Sequence, residues 1–377
     1  MHSFQSQQVP ALDGIRGVAI ILVIIHHQLL PLSLNGGFLG VDLFFVLSGF
    51  LITGLLLKEF EASNSVSLIN FYARRALRLA PALLIYLIAV LIVTYNQHPE
   101  EFAREIKLVG LSLVYLTNWR MALGWDYSLD PTAIIWSLSI EEQFYLVWPP
   151  LLFLLLSFRV KRLHIAVALG LIVIAVALHR ATLWTNGAEL NRMYYGTDTR
   201  ADALFVGCLS AFLAQHRLRA RFQLTLRLLG LAAATLLVYL ISTVSFTGQF
   251  LYRGGYTLIA LATGLLIWSV NDSEHTWLAR VLAFYPVRWF GLISYSLYLW
   301  HWLLLRNVSF YYFVGEWDAW AKFVAAVTIA ASSFYLIEKP INKLKRRFSY
   351  STRRIQPDAK QQLPLVGPFV QPSEQNT

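Results

Sequence analysis

Charged residues are scarce in this chain. Only 14% of its 377 residues are Asp, Glu, Lys or Arg, whereas a soluble domain carries about 25%. Hydrophobic residues make up 57%, and the mean hydropathy is +0.54. This composition argues against an ordinary soluble enzyme and indicates a protein that sits in lipid.

Cysteine is almost absent, and so are several well-known catalytic motifs. The single cysteine, Cys208, rules out an internal disulfide. The sequence has no metal-ligand signature, no glycine-rich phosphate loop and no Gly-x-Ser-x-Gly motif. We therefore expect no metal site and no bound cofactor.

Apolar runs close to 20 residues recur along the chain and predict an all-α, polytopic integral membrane protein. About ten transmembrane helices are expected. Their approximate positions are Leu12–Leu30, Phe38–Leu57, Leu77–Tyr95, Ile134–Leu156, Leu163–His179, Ala201–Ala214, Leu226–Phe246, Tyr256–Val270, Trp289–Tyr312 and Ala319–Ile337.

The distribution of Lys and Arg predicts how these helices are oriented. The apolar piece Leu108–Leu116 is too short to cross a bilayer, so we expect it to be re-entrant or interfacial. With that assignment the arginine-rich loops all fall on one side, and the positive-inside rule makes that side, with both termini, cytoplasmic. These loops are Lys58–Arg75, Arg159–Arg162, Arg217–Arg227 and Arg280–Arg288.

One membrane domain is expected over residues 10–345, followed at 346–377 by a polar, disordered cytoplasmic tail. The net charge of +10 is spread over short loops and does not form one stripe. This pattern argues against nucleic acid as a partner and leaves the lipid bilayer as the expected environment.

The first predicted helix carries ionisable groups near both ends. Arg16 and His27 are 11 residues apart, which places them within about 20° of one helix face and about 16 Å apart along the axis. Such groups are costly in hydrocarbon unless they face a cavity or a partner, so they indicate function. His26 points about 100° away from His27, which favours a structural role for it.

Asp42 lies near the start of the second helix, close to the expected level of His27. A carboxylate beside an imidazole fixes the tautomer of the ring and raises its basicity, as a general base requires. The alternative is a structural ion pair that closes the helical hairpin. Both interpretations stay open at this point.

Three arginines, Arg74, Arg75 and Arg78, stand at the predicted cytoplasmic mouth of the third helix. Guanidinium groups suit phosphate because each can bind two oxygens. Similar clusters also anchor membrane topology and bind anionic lipids. The spacing alone does not choose between these roles.

Further polar residues fall inside predicted helices. Glu141 and Glu142 are adjacent and cannot share a helix face, so one is expected at a cavity and the other at an interface or helix. Arg200 and Asp202 are a candidate partner for these acids or an acceptor-binding pair. Supporting candidates are Ser137, beside the acids, and His301, for which a hydrogen bond to a neighbouring helix is an equal alternative.

Seven motifs occur in one order over about residues 10 to 345, and together they resemble the acyltransferase 3 family of integral membrane acyltransferases. Arg16 and His27 fit the family's Arg-x10-His pattern, and Arg75 and Arg78 fit its Arg-x-x-Arg pattern. The motifs are Leu12–Arg16 with His27, Gly40–Phe50, Phe71–Arg78 with Pro81, Trp136–Tyr145, Arg200–Leu204, Ile293–Trp302 and Glu338–Pro340.

The resemblance implies transfer of an acyl group, commonly acetyl, from cytoplasmic acyl-coenzyme A (acyl-CoA) as co-substrate. The implied acceptor is a hydroxyl of a cell-envelope or exported glycan or glycolipid, such as lipopolysaccharide or peptidoglycan, although some relatives modify small molecules such as macrolides. The implied location is the bacterial inner membrane. Some relatives carry a soluble esterase-like domain, and this chain is expected to be the stand-alone type.

Roles for individual residues follow from the same resemblance. His27 is the expected general base, oriented by Asp42 or Glu142, with a transient acyl-His27 as the alternative to direct transfer. Arg75 and Arg78, with Arg16 as a further candidate, are expected to bind the donor phosphates. A transporter or flippase of a lipid-linked sugar and a membrane scaffold are the competing classes, and dependence on coenzyme A separates the enzyme from both.

Reporter fusions test the predicted topology. Fusions after Arg162 and after Arg221 are expected to report the cytoplasm, and a fusion after Asn186 the outside, because basic loops are retained in the cytoplasm. If the fusions after Arg162 and Arg221 both report the outside, Leu108–Leu116 crosses the membrane and the later orientations are wrong.

Overall fold

The computed structural model describes residues 9–27, 34–125, 130–215, 220–272 and 276–348. These residues form α-helices, short 3₁₀ and π segments and no strand, which confirms the all-α class. The α-helices are α1 Pro10–His26, α2 Gly40–Ser63, α3 Leu68–Gln97, α4 Phe102–Leu113, α5 Thr117–Ala122, α6 Trp136–Ser157, α7 Arg162–Thr185, α8 Leu190–Tyr195, α9 Thr197–Ala214, α10 Ala220–Thr243, α11 Tyr256–Asp272, α12 Trp277–Leu282, α13 Tyr285–Asn307, α14 Tyr311–Val314, α15 Asp318–Ser333 and α16 Lys339–Asn342.

Apolar side chains cover much of the outer surface. On α7, Ile165, Leu169 and Val173 form a buried stripe, whereas Leu163 and Leu171 on the same helix are exposed. Within the described ranges, six helical stretches are long and apolar enough to cross a membrane. An apolar exterior on long helices is stable where lipid is the solvent, so the chain is a multi-pass membrane protein.

The number of crossings and the cytoplasmic position of both termini stay predictions. The predicted domain end at residue 345 falls inside a 3₁₀ segment, Lys343–Phe348, and residues 349–377 of the predicted tail lie outside the described residues. α4 has 12 residues, a length of about 18 Å, which is less than the ~30 Å hydrocarbon core.

The interpretation of residues 58–75 as a polar loop is wrong. α2 runs to Ser63 and α3 begins at Leu68, so helix occupies most of this range. Lys, Glu and Arg are good helix formers, and a membrane helix can extend beyond the lipid into water. Arg75 and Arg78 therefore lie three residues apart on the early turns of α3 and share one face.

α1 and α13 pack with their backbones in close approach. A Cβ on Gly17 would overlap the carbonyl oxygen of Val287, and a Cβ on Gly291 would overlap that of Asp13. Only glycine permits helices to come this near, as small-residue contacts between membrane helices generally require.

The same two glycines set the register of the pair. Ten residues after Gly17 and Gly291 come His27 and His301, and their ring centroids are 5.2 Å apart. The two helices therefore run side by side in the same direction. This direction agrees with the predicted topology, because an extra crossing at Leu108–Leu116 would make them antiparallel.

α2 and α9 repeat this arrangement. A Cβ on Gly49 would overlap the carbonyl oxygen of Leu204, and a Cβ on Gly207 would overlap that of Val46. Asp42 lies seven residues before Gly49, and Arg200 lies seven residues before Gly207. These two residues form the ion pair that is described with the site below. α2 and α9 are therefore also parallel. The glycine contacts in the two helix pairs determine which polar residues of these four helices face each other.

The close approach predicts that Gly17→Ala destabilises the protein. The new methyl group meets a backbone carbonyl, which no side-chain rotation can relieve, so we expect a loss of about 1–3 kcal/mol. Gly170→Ala on α7 is the matched control, since a Cβ there meets nothing within 4 Å. Thermal unfolding in detergent should show a lowered midpoint for Gly17→Ala alone, and equal midpoints would contradict the packing.

Candidate active site

Three arginines from two helices line one cavity within the helical bundle. Arg16 comes from α1, and Arg75 and Arg78 come from α3. All three are donor-binding candidates by sequence, and the fold brings them together. These three guanidinium groups share the cavity with one acid, Glu141, and most of the remaining lining is apolar or aromatic.

Arg75 is held in place by two acids and a ring. Its Nε donates to Oε1 of Glu142 at 2.8 Å, and its Nη2 lies 3.9 Å from Oε2 of Glu141. The guanidinium carbon stands 3.1 Å from the centroid of the Tyr145 ring. Glu141 lines the cavity and Glu142 does not, which is the division expected for adjacent acids. Glu142 is bound to Arg75 and is therefore not placed to orient His27.

The other two cavity arginines differ in their pairing. Nη1 of Arg16 lies 2.9 Å from Oδ1 of Asp13, one turn earlier on α1. Oδ2 of Asp13 lies 3.6 Å from Nε of Arg288. Arg78 makes no ion pair within 4 Å to any residue that the structure describes, and its side chain is exposed to the cavity.

Ser137 and Tyr298 lie together on the cavity wall. Their hydroxyl oxygens are 2.6 Å apart, and Tyr298 donates to the carbonyl of Ile134 at 3.0 Å. Because the tyrosine proton is used there, Ser137 donates to the tyrosine oxygen. The Tyr298 ring centroid is 5.9 Å from that of His301. Sequence reasoning missed Tyr298, although its position three residues before His301 puts both on one helix face.

His27 and His301 form a hydrogen-bonded pair. Nδ1 of His27 lies 3.0 Å from Nε2 of His301, and Nδ1 of His301 lies 3.0 Å from the carbonyl oxygen of Leu297. A carbonyl only accepts, so His301 carries its proton on Nδ1 and its Nε2 is an acceptor. His27 must then donate from Nδ1. This network leaves Nε2 of neutral His27 with a free lone pair.

A tryptophan covers the histidine pair. The Trp302 ring centroid is 4.9 Å from that of His27, and its indole N–H donates to the carbonyl of Asp130 at 3.0 Å. The Asp130 carboxylate in turn accepts from Arg120 at 2.6 Å. The segment before α6 thus holds Trp302 against His27, a role that the tryptophan-rich sequence did not reveal.

The predicted contact between Asp42 and His27 is wrong. Asp42 is buried and accepts from Nη2 of Arg200 through both carboxylate oxygens, at 2.9 and 3.0 Å. The guanidinium carbon of Arg200 also lies 3.9 Å from the centroid of the Tyr256 ring. The cause is the register of α2 on α9, which sets Asp42 opposite Arg200 and leaves His27 to α13.

Asp202 and Arg200 each pair with another residue, and their predicted role in acceptor binding stays a prediction. Asp202 is bound by Arg180 through both carboxylate oxygens, at 3.0 and 2.8 Å, and it accepts from Thr257 at 2.6 Å. Arg180 was missed because the predicted fifth helix was ended one residue before it. Neither Arg200 nor Asp202 lines the cavity, and both are about 1% exposed.

Comparison with known proteins assigns the family. The family described as "Acyltransferase domain" matches residues 9–338. The chain belongs to this family. The resemblance seen in the seven sequence motifs is therefore confirmed. No solved structure matches the chain.

Three curated relatives are bacterial proteins. The chain is 34% identical to the peptidoglycan O-acetyltransferase OatA of Listeria monocytogenes over 90% of its own length and 57% of the relative's. It is 33% identical to the putative peptidoglycan O-acetyltransferase YrhL of Bacillus subtilis over 88% and 55%. It is 34% identical to the O-acetyltransferase OatA of Staphylococcus aureus over 90% and 58%. The chain thus spans just over half the length of these relatives. With its apolar helices, this similarity makes it a multi-pass bacterial membrane protein.

The buried pair of Asp42 and Arg200 is expected to stabilise the fold and to take no part in chemistry. Asp42→Asn should lower the free energy of unfolding by about 3–5 kcal/mol, because it leaves a buried guanidinium without its counter-charge. Glu61→Gln is the control, since Glu61 pairs with Arg162 at the surface at 2.7 Å and exposed pairs contribute about 0–1 kcal/mol. Denaturation in detergent measures both. A stable Asp42→Asn protein that has lost only its activity would return Asp42 to the mechanism.

Proposed function

We propose that this chain is a membrane O-acetyltransferase that moves an acetyl group from cytoplasmic acetyl-coenzyme A to a hydroxyl of a cell-wall glycan. One observation carries the proposal in a chain of the acyltransferase family: three arginines line the same cavity as Tyr298, and the Tyr298 ring lies 5.9 Å from that of His301, the hydrogen-bond partner of His27. Neither histidine is itself among the residues that line the cavity. The relatives from Listeria monocytogenes and Bacillus subtilis are a peptidoglycan O-acetyltransferase and a putative one, which favours peptidoglycan as the glycan.

The cavity suits the donor in charge and in polarity. Arg16, Arg75 and Arg78 would bind the phosphates of coenzyme A, because guanidinium groups form paired, charge-assisted bonds to phosphate oxygens. Arg78 is the strongest candidate, since it has no acid partner among the described residues. The apolar walls, which include Phe44 and Leu51, would accommodate the pantetheine arm as it extends toward Tyr298.

α1 connects the donor site to the site of transfer. Arg16 lies on α1, and His27 directly follows its last residue. The two are about 16 Å apart along the helix axis, a distance that an extended pantetheine arm can span. A thioester anchored at the arginines would reach Tyr298 and the histidine pair. An acceptor hydroxyl would approach from the outer side of the membrane.

The chemistry requires one proton transfer in each direction. Nε2 of His27 takes the proton of the acceptor hydroxyl while the oxygen attacks the thioester carbonyl. The new C–O bond forms, the C–S bond breaks, and the leaving thiolate takes the proton back from His27. His301 replaces Asp42 and Glu142 as the group that orients His27, because it accepts the hydrogen bond from Nδ1.

Mass spectrometry of envelope glycans tests the function directly. Cells that lack the protein should lose an acetyl mass from peptidoglycan muropeptides, and cells that regain it should recover that mass. An unchanged acetylation pattern, together with no acetyl transfer from acetyl-coenzyme A by the purified protein, would contradict the proposal and favour a transporter or scaffold.

His27→Ala is expected to abolish acetyl transfer and to leave donor binding intact. Loss of a general base lowers the rate by about 10²–10⁴. His26→Ala is the matched control, because His26 packs against Phe38 with ring centroids 5.4 Å apart and should lose little activity. Detergent-extracted yield and coenzyme A binding must be measured beside activity to exclude unfolding. A folded His27→Ala enzyme with near-normal transfer would point to His301 as the base.

A further inference from the structure

Four cations lie on or against the early turns of α3, and two of them have no acid partner among the described residues; of these two, Arg78 lines the cavity and Lys345 does not. Arg74 lies 3.1 Å from Oε2 of Glu59, and Arg75 is paired with Glu142. Arg78 has no such partner, as described above. Lys345, from the C-terminal 3₁₀ segment, likewise makes no ion pair within 4 Å to any residue in the described part of the chain.

The C-terminal segment is fastened to the start of α3. Nη1 of Arg74 donates to the backbone carbonyl of Phe348 at 2.7 Å, which closes the segment Lys343–Phe348 over the early turns of that helix. This contact brings the 3₁₀ segment to the helix that carries Arg75 and Arg78. The residues of the segment lie beyond residues 9–338, the range that matches the family.

Lys345 stands in a field of like charge. The charges of Arg74, Arg75 and Arg78 all repel it, and Glu338 is the acid that attracts it. Glu338 is buried, and its Oε1 already accepts hydrogen bonds from the hydroxyls of Ser296 and Ser333. Its charge is therefore only partly available to Lys345.

Lys345 is half-buried, whereas Arg78 is exposed to the cavity. Repulsion between such unbalanced cations is costly where it is weakly screened by bulk water. A multiply charged anion removes this cost. Phosphate is the group that both side chains suit: guanidinium binds it through two parallel bonds, and the lysine ammonium binds it as a compact charge on a flexible stem.

We propose that Lys345 binds phosphate of the coenzyme A head group and is a fourth cation of the donor site beside Arg16, Arg75 and Arg78. The inference rests on the proposed function, since the phosphate is that of the donor. The binding site for the 3′-phosphoadenosine diphosphate moiety then includes the segment Lys343–Phe348, which lies outside the range that matches the family. An anionic lipid headgroup offers the same chemistry, and the experiment separates the two sources.

The test uses the full-length protein in nanodiscs of neutral phosphatidylcholine and, separately, in nanodiscs that also contain phosphatidylglycerol. Binding of coenzyme A is measured by titration calorimetry for the wild type, Lys345→Gln and Lys343→Gln. Lys343 is the matched control because it lies in the same 3₁₀ segment with its side chain exposed. S-acetylpantetheine, which lacks phosphate, serves as the second donor and is followed by its KM.

In neutral nanodiscs Lys345→Gln should weaken coenzyme A binding roughly 10- to 150-fold, as expected for a lost charge-assisted bond, while Lys343→Gln changes it less than about twofold. The KM for S-acetylpantetheine should be the same in all three proteins, which also shows that each is folded. Equal affinity of Lys345→Gln and Lys343→Gln for coenzyme A overturns this inference alone. An effect of Lys345→Gln confined to phosphatidylglycerol nanodiscs assigns the lysine to lipid and also overturns it. No coenzyme A binding by the wild type would overturn the proposed function as well.

Discussion

The close contact of glycines with neighbouring backbones is the constraint on which the site depends. At Gly17 and Gly291, and again at Gly49 and Gly207, no side chain larger than hydrogen fits between the helices. Each contact fixes both the distance and the register of a parallel helix pair. Because a helix is rigid, the contact of α1 with α13 brings together His27 and His301, which follow its glycines by ten residues. In the same way the contact of α2 with α9 brings together Asp42 and Arg200, which precede its glycines by seven residues. The histidine pair and the buried Asp42–Arg200 ion pair follow from these two contacts.

Ionisable groups in this membrane protein fall into two classes by their pairing. Asp42 with Arg200, and Asp202 with Arg180, are fully buried and matched in charge. Removing one partner of such a pair leaves a charge without water or counter-charge, so these pairs hold helices together. Arg78 and Lys345 have no acid partner among the described residues; Arg78 lines the cavity, and Lys345 lies on the 3₁₀ segment that packs against α3. An excess of positive charge at a cavity wall favours an anionic ligand. Whether a charged residue is ion-paired therefore distinguishes structural residues from ligand-binding ones better than burial does.

In the histidine pair, whose ring centroids are 5.2 Å apart, a hydrogen bond from one ring to a backbone carbonyl controls the tautomer of both rings. The carbonyl of Leu297 fixes the tautomer of His301, and His301 fixes that of His27. No carboxylate takes part in fixing these tautomers. Asp42 is bound to Arg200 instead, and Glu142 is bound to Arg75. Trp302 and the segment at Asp130 keep the His27 ring in place from the other side.

The sequence by itself determined the class of the protein, because long apolar runs have only one stable form in lipid, and it determined the family through seven ordered motifs. Helical periodicity was enough to place Arg16 and His27 on one face and Arg75 and Arg78 on another, since those relations are local. It also separated Glu141 from Glu142. Which helices face each other was decided by the tertiary structure alone. Asp42 was expected at His27 because the two are close along the chain, but the glycine contacts of α2 with α9 direct it to Arg200. His301 and Tyr298 come from a helix more than 200 residues away from the arginines of α1 and α3, and so does the segment that carries Lys345. Backbone packing between distant helices sets such contacts, and no local pattern in the sequence records them.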